Sequence, residues 1–277
     1  TQKMNYNQII YNYGFPIANK NFSHLCNRLH NYYNNLNINN FRDSFRILTG
    51  NTIKDSLFNE NRKTISNYQL DDKYYYLAIN YPIQEKCCSI LKKQPSKELI
   101  KEGLISIVGI MKSDSPARRK AIELNYSSHK KCFPLANWTK KDIIKYSKME
   151  NIEISKFYQD RIIDKDIIIK GSLNSGCVGC HFGQNDNHCI IKNNKEIKTS
   201  KFEILKIEKP KQYKSIMNMQ HKSGVTFKET IKIYELSKKG YFLNESRLLK
   251  NKFINRYINL LNNLTEEEEK KYFLNMI

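Results

Sequence analysis

The sequence has no apolar run near the ~18 residues that a membrane span needs, and no basic, apolar, small-residue leader pattern at its start. Neither an integral membrane protein nor a secreted precursor is therefore expected. An even cysteine complement is missing as well. Seven cysteines in 277 residues do not make the disulfide framework of a small secreted domain, and a reducing cytoplasm is the expected compartment. Tryptophan occurs once, as Trp138 beside Thr139, where it is expected to pack the start of a helix rather than stack on a base. Acidic residues are scarce, 27 against 47 lysines and arginines, for a formal net charge of +20. That surplus allows two readings: a surface for nucleic acid, or a solvated basic surface in an Asn-, Ile- and Lys-rich chain.

What the chain does have is enough apolar material, 40 % of its residues, for a core. Helical spacing runs over about 22–34 and 41–48, with Arg28, Arg42 and Arg46 on the outer side, and again over about 84–101. Gly103–Ile110 is a short β-branched run of buried-strand character, and Pro116 stands where a helix would begin. Lys131–Leu135 reads as another strand. Thr139 with Asp142 forms a capping-box pattern for a helix over about 140–149. Alternating strands and helices predict a parallel α/β sheet. Residues 184–200 are polar. Helical spacing then resumes over 202–219, 227–237 and about 246–263, with an acidic run at Glu266–Glu269. The expected organisation is an α/β domain over 1–183 and a helical subdomain over 184–277, whose Tyr and Phe residues are core.

Four of the seven cysteines fall into two tight pairs, Cys87-Cys88 and Cys177-Val-Gly-Cys180, separated by 88 residues. Soft thiolate donors select zinc or iron–sulfur clusters, and both want four of them. A Cys-x-x-Cys pair alone fits a redox dithiol, a zinc half-site or chance. Cys87 and Cys88 would emerge near a helix N-terminus, where thiolate is favoured. The glycines of Gly171-Ser-Leu-Asn-Ser-Gly-Cys-Val-Gly-Cys-His-Phe-Gly183 let backbone fold closely around a ligand. Cys26 and Cys189 read as structural thiols. His24, His30, His129, His188 and His221 show no metal-ligand spacing. In Met111-Lys-Ser-Asp-Ser-Pro-Ala-Arg-Arg119, a strand end meets a helix start. Its hydroxyls, N–H groups and cations suit a phosphate or sulfate, while a helix cap by Ser113 or Asp114 with solvated arginines is the plainer reading.

Four segments together resemble the phosphoadenosine phosphosulfate reductase family: Lys86-Cys-Cys-Ser-Ile-Leu-Lys-Lys-Gln-Pro95, Gly109-Ile-Met-Lys-Ser-Asp-Ser-Pro-Ala-Arg118, Pro134-Leu-Ala-Asn-Trp-Thr139 with Asp142, and Gly176-Cys-Val-Gly-Cys180 with Phe182-Gly183. Tyr13-Gly-Phe-Pro-Ile17 with Lys20, and Lys201-Phe202 with Pro210 and Tyr213, extend the resemblance towards both ends. It implies a parallel sheet of the adenine nucleotide alpha hydrolase-like type. It further implies a [4Fe–4S] cluster on Cys87, Cys88, Cys177 and Cys180, as in the paired-cysteine branch, with zinc as the alternative metal. Ser115 and Arg118 match motif positions for nucleotide or anion binding, beside Lys112 and Arg119, and Asp114 stands where one branch has glutamate. His181 is expected to hydrogen-bond at the edge of the cluster.

The implied activity is sulfur reduction or transfer on an adenylyl nucleotide or sulfonucleotide, with a redox or sulfur-carrier protein as partner. Two family features are missing from the sequence: the Ser-Gly-Gly-Lys-Asp-Ser-type nucleotide loop and a Glu-Cys-Gly-Leu-His-like motif with its catalytic cysteine. The first leads to the expectation that the chain is an N-terminally truncated version of a longer protein, a separate loop-bearing subunit being the alternative. The second keeps open an ATP-dependent sulfurtransferase acting on nucleic acid, or a non-catalytic, zinc-stapled interaction module.

Overall fold

The computed structural model describes residues 4–50, 68–126, 131–164, 167–171, 177–182 and 188–265. Along the chain, α1 (Tyr6–Tyr13) opens on a capping box between Asn5 and Gln8 and stops at Gly14. There φ is +98°, and an added Cβ would lie 2.0 Å from the Pro82 carbonyl oxygen. Then come α2 (Lys20–Asn34), capped by Asn19, α3 (Phe41–Thr49), ended by left-handed Gly50, and α4 (Tyr75–Asn80). A single α-helical turn at Lys86–Cys88 passes through a π-helical stretch, Ser89–Lys93, into α5 (Gln94–Lys101). β1 (Ser106–Ile107), α6 (Pro116–Tyr126), β2 (Lys131–Cys132) and α7 (Lys140–Met149) follow. Next are β3 (Arg161–Asp164), β4 (Ile167–Ile169), β5 (His188–Lys192) and β6 (Lys195–Thr199). The chain continues through α8 (Lys201–Glu208), α9 (Pro210–Met217), α10 (Phe227–Lys238) and α11 (Leu243–Asn262).

The chain divides into two compact units that interleave in sequence. One comprises residues 1–4, 88–175 and 187–200; the other comprises 5–87, 176–186 and 201–277. These units do not coincide with the 1–183 and 184–277 division read from the sequence.

In the first unit β1 and β2 pair in parallel, as expected, through Ser106 opposite Lys131 and Ile107 opposite Cys132. The long buried strand expected over 103–110 does not form. Among the described residues its ladder partner is Lys131–Cys132, and Ile105 and Ile107 are 64 % and 74 % exposed. Val108 and Ile110 instead pack on a small cluster of Ile122, Phe133 and Ala136. Lys131–Leu135 likewise keeps two strand residues and then turns, with Ala136 N–H donating to the Phe133 carbonyl at 3.1 Å. A four-stranded antiparallel sheet, ordered β3-β4-β5-β6, was not expected. It corrects both the purely parallel sheet and the assignment of 184–200 to a polar connection into helices. Its last hairpin turns at Asn193 and Asn194, both left-handed at φ +50° and +58°, with Lys192 opposite Lys195. This is the two-residue turn that matches strand twist.

The second unit is helical. α2, α4, α8, α10 and α11 enclose one core that includes Phe15, Leu29, Tyr75, Leu77, Phe227 and Phe253. Phe15 stacks on Phe227 at 5.2 Å, and Phe202 meets Phe227 edge-on at 5.8 Å. Buried polar groups tie distant segments together. The Ser44 and Tyr257 hydroxyls share a hydrogen bond of 2.6 Å, and Tyr76 N–H donates to Ser246 Oγ at 3.0 Å. The aromatic side chains of α8 to α11 are core, as expected. The helix expected over 202–219 is two helices, because Pro210 has no N–H to continue the first and starts the second. Arg28 is paired with Asp43, and Arg46 lies 3.5 Å from the Tyr68 ring centroid, so neither is the free solvated cation expected. The Arg42 side chain and the Glu266–Glu269 run lie outside the described residues.

Candidate functional site

The Cys87-Cys88 pair begins with Gln84. This amide is fully buried; its Oε1 accepts from the N–H groups of Lys86 and of Cys87, the latter at 3.2 Å, and its Nε2 donates to the Gly14 carbonyl at 2.9 Å. The backbone repeats the link, since Gln84 N–H donates to the Phe15 carbonyl and Phe15 N–H donates to the Pro82 carbonyl. The helical turn carrying Cys87 is thus capped by a side chain anchored to the segment that follows α1. Cys87 is buried and Cys88 half-buried. Placement of the pair at the first turn of a helix agrees with the sequence reading.

The Cys177-Val-Gly-Cys180 turn closes through Cys180 N–H donating to the Cys177 carbonyl at 3.1 Å. Tyr6 Oη donates to the Gly179 carbonyl at 2.6 Å, and Lys201 Nζ donates to the Cys177 carbonyl. Gly179 admits the Tyr6 ring, because a Cβ there would stand 2.9 Å from Tyr6 Cε1. His181 Nδ1 accepts from Ala18 N–H at 2.9 Å, placing the ring proton on Nε2. The ring packs beside Phe202 and Tyr234. Burial first, and then the Lys238 charge, lower its pKa to about 4, so it is neutral at pH 7. Nδ1 is thus spent on the backbone, and Nε2–H is the ring's donor. Cys180 is buried and Cys177 exposed.

Two segments of the helical unit therefore rest on residues 6–18: Gln84, which caps the turn entering Cys87, on Gly14, and the Cys177–His181 turn on Tyr6 and Ala18. In donor chemistry the set fits a four-thiolate centre, since it offers two pairs of soft ligands and no competing disulfide. In assembly the thiols stand as two half-sites. Among the described residues no group of three or more His, Cys, Asp or Glu side chains converges to hold a metal ion.

The Met111–Arg119 loop belongs to the other unit. Lys112–Asp114 form one 3-10 turn, and Ser115 Oγ accepts from Arg118 N–H at 3.2 Å, capping α6. Asp114 Oδ2 accepts from Met111 N–H at 3.1 Å and lies 3.3 Å from Arg118 Nη1. Ser113 Oγ donates to the Trp138 carbonyl at 3.0 Å. The structure thus brings Lys112, Ser115, Arg118 and Arg119 onto one loop and helix start, with Arg119 exposed. Asp114 already partners one of the two arginines. Trp138 packs edge-on against Tyr146 of α7 at 5.4 Å, on the helix that Thr139 and Asp142 cap.

Two supporting groups escaped the sequence reading, Gln84 and Tyr6. The signal for Gln84 was a side-chain acceptor standing just before a helix start; nothing in the sequence pairs Tyr6 with Gly179.

A model of the phosphoadenosine phosphosulfate reductase domain matches residues 33–216, a span that contains both cysteine pairs and the whole Met111–Arg119 loop. The chain belongs to that family. No curated protein and no solved structure matches it. The family's reactions are sulfonucleotide reduction and sulfur transfer, so a nucleotide or sulfonucleotide is the family-level substrate. No helix among the described residues is long and apolar enough to cross a membrane.

Proposed function

We propose that this reductase-family chain binds an adenylyl nucleotide or sulfonucleotide and reduces or transfers its sulfur, with Cys87, Cys88, Cys177 and Cys180 holding a [4Fe–4S] cluster. The observation that carries this reading is the anchoring of two cysteine pairs on one short segment, residues 6–18, inside a chain of this family. A bound cluster would supply an electrostatic environment set by its charge and by hydrogen bonds to its sulfurs. The chain's own residues do the rest. Gln84 fixes the turn of the first pair, while Tyr6, Lys201 and His181 fix that of the second. At the start of α6, the Ser115 hydroxyl and the Lys112 and Arg119 cations orient a phosphate or sulfate oxygen. For Arg118 to join them, an incoming anion must displace or share Asp114.

Anaerobic purification followed by iron, acid-labile sulfide and zinc analysis tests the metal. Iron and sulfide in equal amount, lost together in Cys177→Ser, is the expected result. A colourless protein with zinc and no iron returns the zinc-stapled module. Calorimetric titration with ATP and with a sulfonucleotide tests the anion loop, with Arg119→Ala expected to weaken binding about tenfold, in the range of one charge-assisted hydrogen bond.

A further inference from the structure

The surplus positive charge of the helical unit is concentrated on the segment from α8 to the end of α10. Residues 206–239 hold nine lysines against three glutamates. All nine lysines are exposed. Glu229 is taken up by the capping box of α10, where its carboxylate accepts from Thr226 N–H and Oγ1 at 2.7 Å each.

On α10 the charges share a face. Lys228, Lys232, Glu235 and Lys239 recur at four-, three- and four-residue steps, which returns each to the same side of a helix. The opposite side carries Phe227, Thr230, Tyr234 and Ser237 into the core. Lys222, also exposed, precedes the N-terminal end of α10. It sits in the turn closed by the Gln220–Thr226 bridge, and its N–H donates to the Tyr11 carbonyl at 2.9 Å. Tyr11 is 54 % exposed, and Tyr241, two residues past Lys239 at the other end of α10, is 69 % exposed. The remaining tyrosines of α8 to α11 pack into or against the core. The face is therefore a row of cations along the 12 residues of α10, about 18 Å, flanked in the chain by exposed Tyr241 and, through the Lys222 backbone bond, by exposed Tyr11.

We propose that this face binds single-stranded nucleic acid, with Lys222, Lys228, Lys232 and Lys239 contacting phosphates and Tyr11 and Tyr241 stacking on unpaired bases. Lysine point charges suit sequence-independent phosphate contact, and exposed rings need bases that a duplex keeps stacked. Glu235, on the same face, keeps the contact moderate and easily reversed by salt. The proposal does not depend on the metal or on the sulfonucleotide, and its failure would leave both untouched.

The test is fluorescence anisotropy of a labelled single-stranded oligonucleotide, as DNA and as RNA, across a potassium chloride series. Wild-type binding should weaken steeply with salt. The combined Lys228→Gln, Lys232→Gln and Lys239→Gln variant should reduce the slope of log affinity against log salt by about two, at ~0.7 per phosphate contact. Tyr241→Ala should weaken binding about fivefold or more at fixed salt without changing the slope. A matched duplex should bind more weakly than the single strand. The proposal is overturned if the oligonucleotide does not bind, or if Lys141→Gln, Lys145→Gln and Lys148→Gln on α7 lower the slope equally. It is also overturned if an acidic peptide binds with the same lysine dependence while the oligonucleotide does not.

Discussion

Gln84 is an uncharged side chain with no exposed surface and three hydrogen bonds, all to backbone. Replacing it with leucine keeps the volume but strands the Gly14 carbonyl and the first N–H groups of the cysteine turn. Each stranded buried group costs ~1–3 kcal/mol. Gln84→Leu, which strands the buried Gly14 and Cys87 groups, should therefore lower stability by about 2–6 kcal/mol and raise the alkylation rate of the buried Cys87 thiol, read by mass-spectrometric footprinting. An unchanged Cys87 rate would mean that the amide does not hold the turn. The two cysteine pairs were legible in the sequence because their spacing is local. Gln84 was not, because its role depends on Gly14, 70 residues away in the chain. The same limit applies to His181: its neighbour Cys180 suggested a partner, whereas the fold supplied the Ala18 N–H.

Among the elements, helices were the most legible, because their ends are written in a few adjacent residues. Thr139 with Asp142 before α7 and Pro116 at the start of α6 both stand at their helix ends. The strands misled for the opposite reason. The β-branched run at 103–110 has the composition of a buried strand, but burial depends on neighbours, and Ile107, opposite Cys132, stays 74 % exposed. The antiparallel sheet carried one readable sign: Asn193-Asn194 between two alternating runs fits a turn that requires two left-handed residues. α10 offers a direct test at this scale. Thr226→Ala removes the Oγ1 that accepts from Glu229 N–H at 3.2 Å, and should cost about 1 kcal/mol in denaturant unfolding. Because Thr226 hydrogen bonds are the main cause of the lowered Glu229 pKa, that pKa should rise towards the ordinary glutamate value in an NMR titration. Thr226→Ser should restore both.

At the scale of the molecule, the helical unit draws its core from chain positions far apart. Residues 10–83 and 202–257 contribute to one cluster, and Lys250 bonds Asp72 at 2.6 Å across 178 positions. A chain ending at Ser200 keeps the first unit but should leave the amides of α2 and α4 without hydrogen-exchange protection, since Phe202, Phe227 and Phe253 would be gone from the centre of that cluster. Adding residues 201–277 as a separate peptide should restore helical circular dichroism beyond the sum of the two pieces. Protected amides in α2 and α4 of the shorter chain alone would show that α1 to α4 are self-sufficient.

The same interleaving sets a schedule for synthesis. After Ile83 has left the ribosome, about 120 residues must be translated before Phe202 arrives, some 6–24 s at ~5–20 residues per second. During that interval α1 to α4 present apolar faces with no partner to cover them. Newborn chains are then at their most exposed to aggregation, and slowing translation between codons 84 and 201 would prolong that interval without changing a single contact of the finished protein.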